Sequence, residues 1–149
     1  MKSFIKKLLK FIYPTIPILS LRKKILIWCG YSIGRDAYIP ACLKISDLKN
    51  RRNNLFIGDR VSFGPNVLII TDSSPNNSKL IKLFPMKSEN VVIYNDVWIG
   101  ANVTILPGVT IGECSIIGTG AIVNKSIPAY SIAVGNPAKV IKKINFNEL

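Results

Sequence analysis

The 149-residue chain contains no histidine. It therefore has no imidazole to titrate near neutral pH and no histidine cage for zinc. Carboxylates are scarce, with eight Asp and Glu against twenty Lys and Arg, a formal net charge of +12. None occurs before Asp36. Cysteine is limited to Cys29, Cys42 and Cys114. An odd number without C-x-x-C spacing argues against a disulfide framework and against a zinc or redox site, so packed thiols in a reducing compartment and no metal are expected. Long apolar runs are also missing. Pro14 and Pro17 interrupt the N-terminal one and Arg22 ends it, well short of the ~20 residues of a transmembrane helix. No convincing small-residue cleavage site follows, which argues against a cleaved signal peptide.

What the chain does have is a six-residue repeat. From Ile93 to Pro128 it cuts into IYNDVW, IGANVT, ILPGVT, IGECSI, IGTGAI and VNKSIP, so that Ile93, Ile99, Ile105, Ile111, Ile117 and Val123 share one position. In an α-helix, six residues turn about 600° and would scatter these side chains roughly 120° apart. An amphipathic helix is excluded. A single flat strand fails as well, because Gly, Pro and Asn interrupt every unit. The pattern predicts a solenoid of very short strands, each burying its aliphatic residue only against the neighbouring coils. Three hexads per triangular coil would stack Ile93 on Ile111, Ile99 on Ile117 and Ile105 on Val123. The register extends upstream from Ile57, Phe63 and Ile69, and more weakly from Ile33, Ile39 and Ile45. It breaks at about 49–54 and again at 75–90, where PNNSKLIKLFPMKSEN reads as a projecting loop.

Residues 1–32 form a separate basic segment ahead of a repeat domain at 33–149. Lys2, Lys6, Lys7, Lys10, Arg22, Lys23 and Lys24 lie among the first thirty residues, with Phe4, Ile5, Leu8, Leu9, Phe11 and Ile12 between the first lysines at nearly helical spacing. A short basic amphipathic helix of this kind suits peripheral attachment to an anionic membrane, or a cap on the solenoid. No nucleic-acid-binding motif accompanies the charge. A hydrophobic content of 48% is high for one small domain and points to buried subunit contacts or a membrane surface.

The run NDVWIGANVTILPGVTIGECSIIGTGAIVNKSIPAYSIAVGNPAKVIKKI resembles the C-terminal half of the hexapeptide-repeat acetyltransferases, in particular the sugar O-acetyltransferases. That branch includes galactoside and maltose acetyltransferases and enzymes of capsule and lipopolysaccharide synthesis. The resemblance covers the chain from about Ile33 and is dense from Ile57. It implies an all-β, left-handed parallel β-helix, a homotrimer, and acetyl-CoA bound in a groove between subunits. It also implies a sugar or lipid-linked glycan as acceptor, met in the cytoplasm or at the inner face of the membrane. Carried over position by position, Ala101 and Thr119 fall where backbone groups face the pantetheine arm, and Asn124 with Lys125 where the family contacts pantetheine and nucleotide. Lys139 and Lys142 fall where basic residues meet the CoA phosphates, a role suited to cations. Trp98 matches the aromatic wall of the acceptor groove. Solvated surface for the lysines, and core or trimer packing for Trp98, are the plainer alternatives.

The departure lies at the reaction centre. Where the family carries a histidine base before the projecting loop, this chain has Ser74, preceded by Asp72 and Ser73 and followed by Pro75. A homotrimer cannot supply the missing imidazole. The same absence excludes the three-histidine metal site of the carbonic anhydrases that share this repeat. YIPACLK also lacks the asparagines that sugar acetyltransferases carry in the equivalent coil. Asp72 is the expected substitute base, with Ser74 orienting the acceptor or relaying a proton. Turn chemistry is the alternative account of residues 72–77, which are all Asp, Ser, Pro or Asn. Two functions follow: an O-acetyltransferase with an atypical active site, or a non-catalytic hexapeptide trimer serving binding or assembly.

Overall fold

The computed structural model describes residues 2–47 and 53–145. Its body is a three-sided solenoid of short parallel strands. One face stacks Ser32–Ile33, Leu55–Ile57, Val91–Ile93 and Thr110–Ile111. A second stacks Ser62–Phe63, Trp98–Ile99, Ile116–Ile117 and Ser131–Val134. The third stacks Lys44–Ser46, Leu68–Ile70, Thr104–Ile105 and Ile122–Val123. The pairings expected from the repeat are present: Ile93 with Ile111, Ile99 with Ile117, and Ile105 with Val123. Each ladder continues upstream, through Ile57 and Ile33, Phe63, and Ile69 and Ile45. These isoleucines are at 0% exposure from Ile57 onward, and each fully buried one contributes roughly 1.5–3 kcal/mol.

The corners explain the rest of the hexad. Its fourth residue is left-handed at Asp36, Arg60, Asn66, Asp96, Asn102, Gly108, Cys114 and Gly120, with φ between 51° and 83°. Asn, Asp and Gly reach this region most cheaply, which is why they punctuate the repeat. The glycine at the second position answers to a different demand, the close approach of stacked coils. A Cβ on Gly100 would lie 2.7 Å from the backbone nitrogen of Thr119. Along another corner Arg35 pairs with Asp59 and Arg60 with Asp96, in contacts of 2.6–3.0 Å.

Of the two breaks in register, the first makes the Ile33-to-Ile57 coil one hexad too long, and residues 48–52 within it lie outside the described residues. The second is the projecting loop. It leaves through Asp72–Ser73, makes a 3-10 turn at Lys79–Lys82, and returns through Lys87–Ser88, which pairs antiparallel with Asp72–Ser73. At the C-terminal end Lys139–Lys143 folds back antiparallel on Ser131–Val134.

The N-terminal segment is two helices rather than one: α1 at Lys2–Ile12 and α2 at Leu19–Trp28, joined through a 3-10 turn at Tyr13–Thr15. Pro14 and Pro17 account for the break, since neither can donate a helical N–H. Tyr13, Ile25, Leu26 and Cys29 join the apolar core. Helix α1 is oriented otherwise. Lys6 is buried and donates to Asp47 at 2.5 Å, while Phe4 and Phe11 are 71% and 80% exposed. Among the described residues no helix is long and apolar enough to cross a membrane.

Candidate active site

The third face ends at Ile70, Leu106 and Asn124, one above another at the same hexad position, and the projecting loop leaves from this corner. Between loop and corner lies a cleft of about 670 Å³. Ser73, Ser74, Phe84, Lys87, Leu106 and Asn124 are among its lining residues. Thr71 fixes the loop's exit. Its Oγ1 accepts from Asn54 Nδ2 at 2.9 Å and donates to the Ser46 carbonyl at 3.3 Å, and its own carbonyl accepts from the Glu89 N–H at 3.0 Å.

From Thr71 onward the strand alternates. Asp72 is buried, at 1% exposure, while Ser73 is exposed and sits directly across from Lys87. Successive strand residues point to opposite faces, so a carboxylate at 72 and the cleft-lining residue at 73 do not share a space. Asp72, expected to face the acceptor as its base, is buried and is not among the residues lining the cleft. Its charge is the weakest of several influences on Lys10 and Tyr31. Ser74 does line the cleft. Its Oγ accepts the Asn76 N–H at 3.0 Å, which is turn chemistry. The hydroxyl keeps its own proton and a second lone pair for another partner.

On the inner side of this turn lies a buried ionic cluster. Asp47 accepts from Lys6 and, at 3.1 Å, from the Tyr31 hydroxyl, and the Lys6 ammonium stands 4.5 Å from the centre of the Tyr31 ring. Burial alone would raise the Asp47 carboxyl. The hydrogen bond and charge of Lys6, helped by Lys10 and Tyr31, outweigh it and hold the carboxyl below its usual value. Burial, and then the Asp47 charge, push the Tyr31 phenol far above the ordinary range. Burial lowers the Lys10 ammonium, against the opposing pull of Asp47.

The residues assigned to the donor divide between two corners. Asn124 shares the cleft with Ser74, and Lys125 follows it, exposed. Ala101 and Thr119 lie at the other end of the third-face strands, where the Gly120 N–H donates to the Ala101 carbonyl at 2.8 Å. Lys139 extends that second corner: it pairs with Val134, whose side chain packs over Gly118. Lys142 lies opposite Ile132 on the exposed terminal strand. Trp98 stands on the outer surface of the second face, 59% exposed, paired with Ser62 and Ile116 and away from the Ser74 cleft. Lys87, Phe84 and Leu106 were not anticipated. Leu106 was legible as the residue stacked between Ile70 and Asn124, whereas the loop residues carry no period from which to place them. Among the described residues no cluster of His, Cys, Asp or Glu forms a metal site.

Solenoid and cleft together define a hexapeptide-repeat β-helix, and comparison with known proteins agrees. Residues 90–125 match the family described as bacterial transferase hexapeptide (six repeats). The galactoside O-acetyltransferase of Escherichia coli (strain K12) is 43% identical over 113 residues, which are 76% of this chain and 54% of that protein. A maltose O-acetyltransferase from Clostridium difficile 630 superposes with a TM-score of 0.71 at 30% identity, covering 97% of this chain and 86% of that one. A galactoside acetyltransferase in complex with coenzyme A also gives 0.71 at 30% identity, covering 99% and 82%. The chain belongs to the hexapeptide-repeat acetyltransferase family, whose fold is the left-handed parallel β-helix. It spans about half the length of the sequence relatives it matches.

Proposed function

We propose that this protein is an acetyl-CoA-dependent O-acetyltransferase acting on a hydroxyl of a sugar or lipid-linked glycan, working as a homotrimer on the cytoplasmic side of the membrane. The observation that carries this reading is the cleft shared by Ser74, at the family's base position, and Asn124, at its donor position. Bound acetyl-CoA supplies an activated acetyl thioester. Asn124 and Lys125 hold its pantetheine and nucleotide, Ala101 and Thr119 offer backbone groups, and Lys139 and Lys142 meet its phosphates. Two corners of one chain then form a single groove when a neighbouring subunit brings its second corner to the first. Trp98, exposed on the outer surface, suits the same interface as an acceptor wall.

The acceptor oxygen bonds to the acetyl carbon while the carbon–sulfur bond breaks, and the hydroxyl proton passes to the departing thiolate. Ser74 orients that hydroxyl, with its own Oγ held by the Asn76 N–H. Lys87 favours the charge that develops beside it. Loss of a general base typically forfeits about 10² to 10⁴ in rate, while in-line positioning can contribute more. The proposed enzyme therefore relies on positioning, and Asp72 acts from behind the turn as a positioning residue. The test is a titration with acetyl-CoA followed by thiol release with and without candidate glycans. Acceptor-dependent release supports the enzyme, and absence of acetyl-CoA binding overturns it.

The missing histidine and the burial of Asp72 favour a second reading, a trimer that keeps the groove for binding or assembly without transfer. Tight acetyl-CoA binding with no release on any glycan is its signature.

A further inference from the structure

Helix α1 is mounted inside out. At 100° per residue, Phe4, Leu8, Phe11, Ile12, Ile5 and Leu9 fill an arc of roughly 160°, and all but Leu9 are exposed. The opposite side carries Lys6, buried against Asp47 and Tyr31, and Lys10, half-buried. An amphipathic helix that only capped the solenoid would turn its apolar stripe inward. Here a buried ion pair, which rarely adds stability over an apolar packing of the same volume, fixes the helix in the reverse sense. Ile18 and Trp28 add exposed apolar surface on the adjoining segment and on α2.

We infer that this face is a docking surface for an anionic lipid membrane. Charge complementarity selects that occupant. Lys7 borders the exposed stripe on α1; Lys24, exposed, and Lys23, half-buried, lie on α2, which contacts α1; and no acid precedes Asp36. A second copy docked through the same face would present the same uncompensated cations, whereas an anionic headgroup layer neutralises them as the phenylalanines enter the acyl boundary. Trp28 has the amphipathic ring favoured at that boundary. Docking in this way needs no acetyl donor and stands independently of the transfer reaction.

Co-sedimentation of the full chain with vesicles tests this. Phosphatidylcholine mixed with phosphatidylglycerol should retain the protein, phosphatidylcholine alone should not, and raising salt from about 0.1 M to about 1 M should release it. The double variant Phe4→Ser/Phe11→Ser should bind at least about tenfold more weakly with the mass by light scattering unchanged. Lys7→Glu/Lys24→Glu, which leaves the apolar stripe intact, should abolish the preference for anionic lipid. Wild-type protein that ignores vesicles, or binds both kinds alike, overturns the inference. So does a Phe4→Ser/Phe11→Ser variant that changes mass while binding lipid normally, since the stripe would then be covered by another copy.

Discussion

In the hexads from Ile93 to Ile127 nearly every inward position is aliphatic, and the charged side chains point outward. The inward exception, Ser115, is satisfied by donating to the Pro128 carbonyl at 3.0 Å. Helix α1 at the end of the same solenoid inverts the arrangement, with an ion pair inside and phenylalanines outside. The two regions are therefore held by different forces. The apolar ladders are non-directional and take their register from the hydrogen-bonded strands they line, whereas the Lys6–Asp47 pair fixes a single orientation of the helix. The ladders stabilise the fold, and the ion pair specifies which face of α1 meets its surroundings.

The largest break in that comparison should come from Asp47→Ala. It leaves the Lys6 ammonium buried without its carboxylate, a change that typically costs about 3–5 kcal/mol. Lys6→Met/Asp47→Leu should recover most of the melting temperature, because the charge is removed with its partner. Recovery that fails would mean that the pair itself, and not the uncompensated charge, supplies the stability. The acid side follows from the same group. Its folded carboxyl lies below the usual value, so its contribution is present above the unfolded pKa of about 3.9 and is lost as pH falls through the folded one. Asp47→Asn should flatten the decline in melting temperature below about pH 4.

Next in size, Ile99→Ala should cost about 2–5 kcal/mol, because a wholly buried rung is deleted and its cavity cannot close. Phe11→Ala, at 80% exposure, should change stability by no more than about 0.5 kcal/mol in the absence of lipid. Equal losses in denaturant titrations would show that α1 buries its apolar side in solution after all.

How much of this could be read beforehand depended on period. The ladders, their register and the two breaks follow from a β-branched residue every six positions, and the same rule stacks Leu106 between Ile70 and Asn124, although its place in the cleft was not anticipated. The inversion of α1 did not. The alternation of lysines and apolar residues marks a helix but leaves open which side faces inward, and Asp47, which decides it, lies some forty residues away in a weakly repetitive coil. Asp72 escapes a sequence reading for a related reason: adjacency to Ser74 in the chain suggests a shared site, whereas the strand ends at Ser73 and the buried Asp72 is not among the residues lining the cleft.

At the cleft the same contrast predicts a smaller and more selective effect. Ser74→Ala removes a hydroxyl that lines the site and should lower kcat by roughly 10-fold, the scale of one lost neutral hydrogen bond, with acetyl-CoA affinity unchanged. Asp72→Asn acts from the buried side. It should shift kcat without altering KM for the donor, whereas Lys125→Ala should raise that KM with little change in kcat. Ser74→Ala and Asp72→Asn both matching wild type would remove the turn from the mechanism.

The smallest expected effect sharpens the solenoid side alone. Cys114 holds φ at 51° in a corner position filled elsewhere by Asn66, Asp96 and Asn102. A left-handed backbone costs an ordinary residue roughly 1–2 kcal/mol, while Asn offsets part of that through its short polar side chain. Unlike glycine, Asn does not enlarge the unfolded ensemble. Cys114→Asn should therefore stabilise by about 0.5 kcal/mol, a rise of about 1–2 °C in melting temperature, and Asn102→Ala should cost a similar amount. A lower melting temperature for Cys114→Asn, with Asn102→Ala neutral, would mean that thiol packing between coils, and not backbone conformation, selects the residue at that corner.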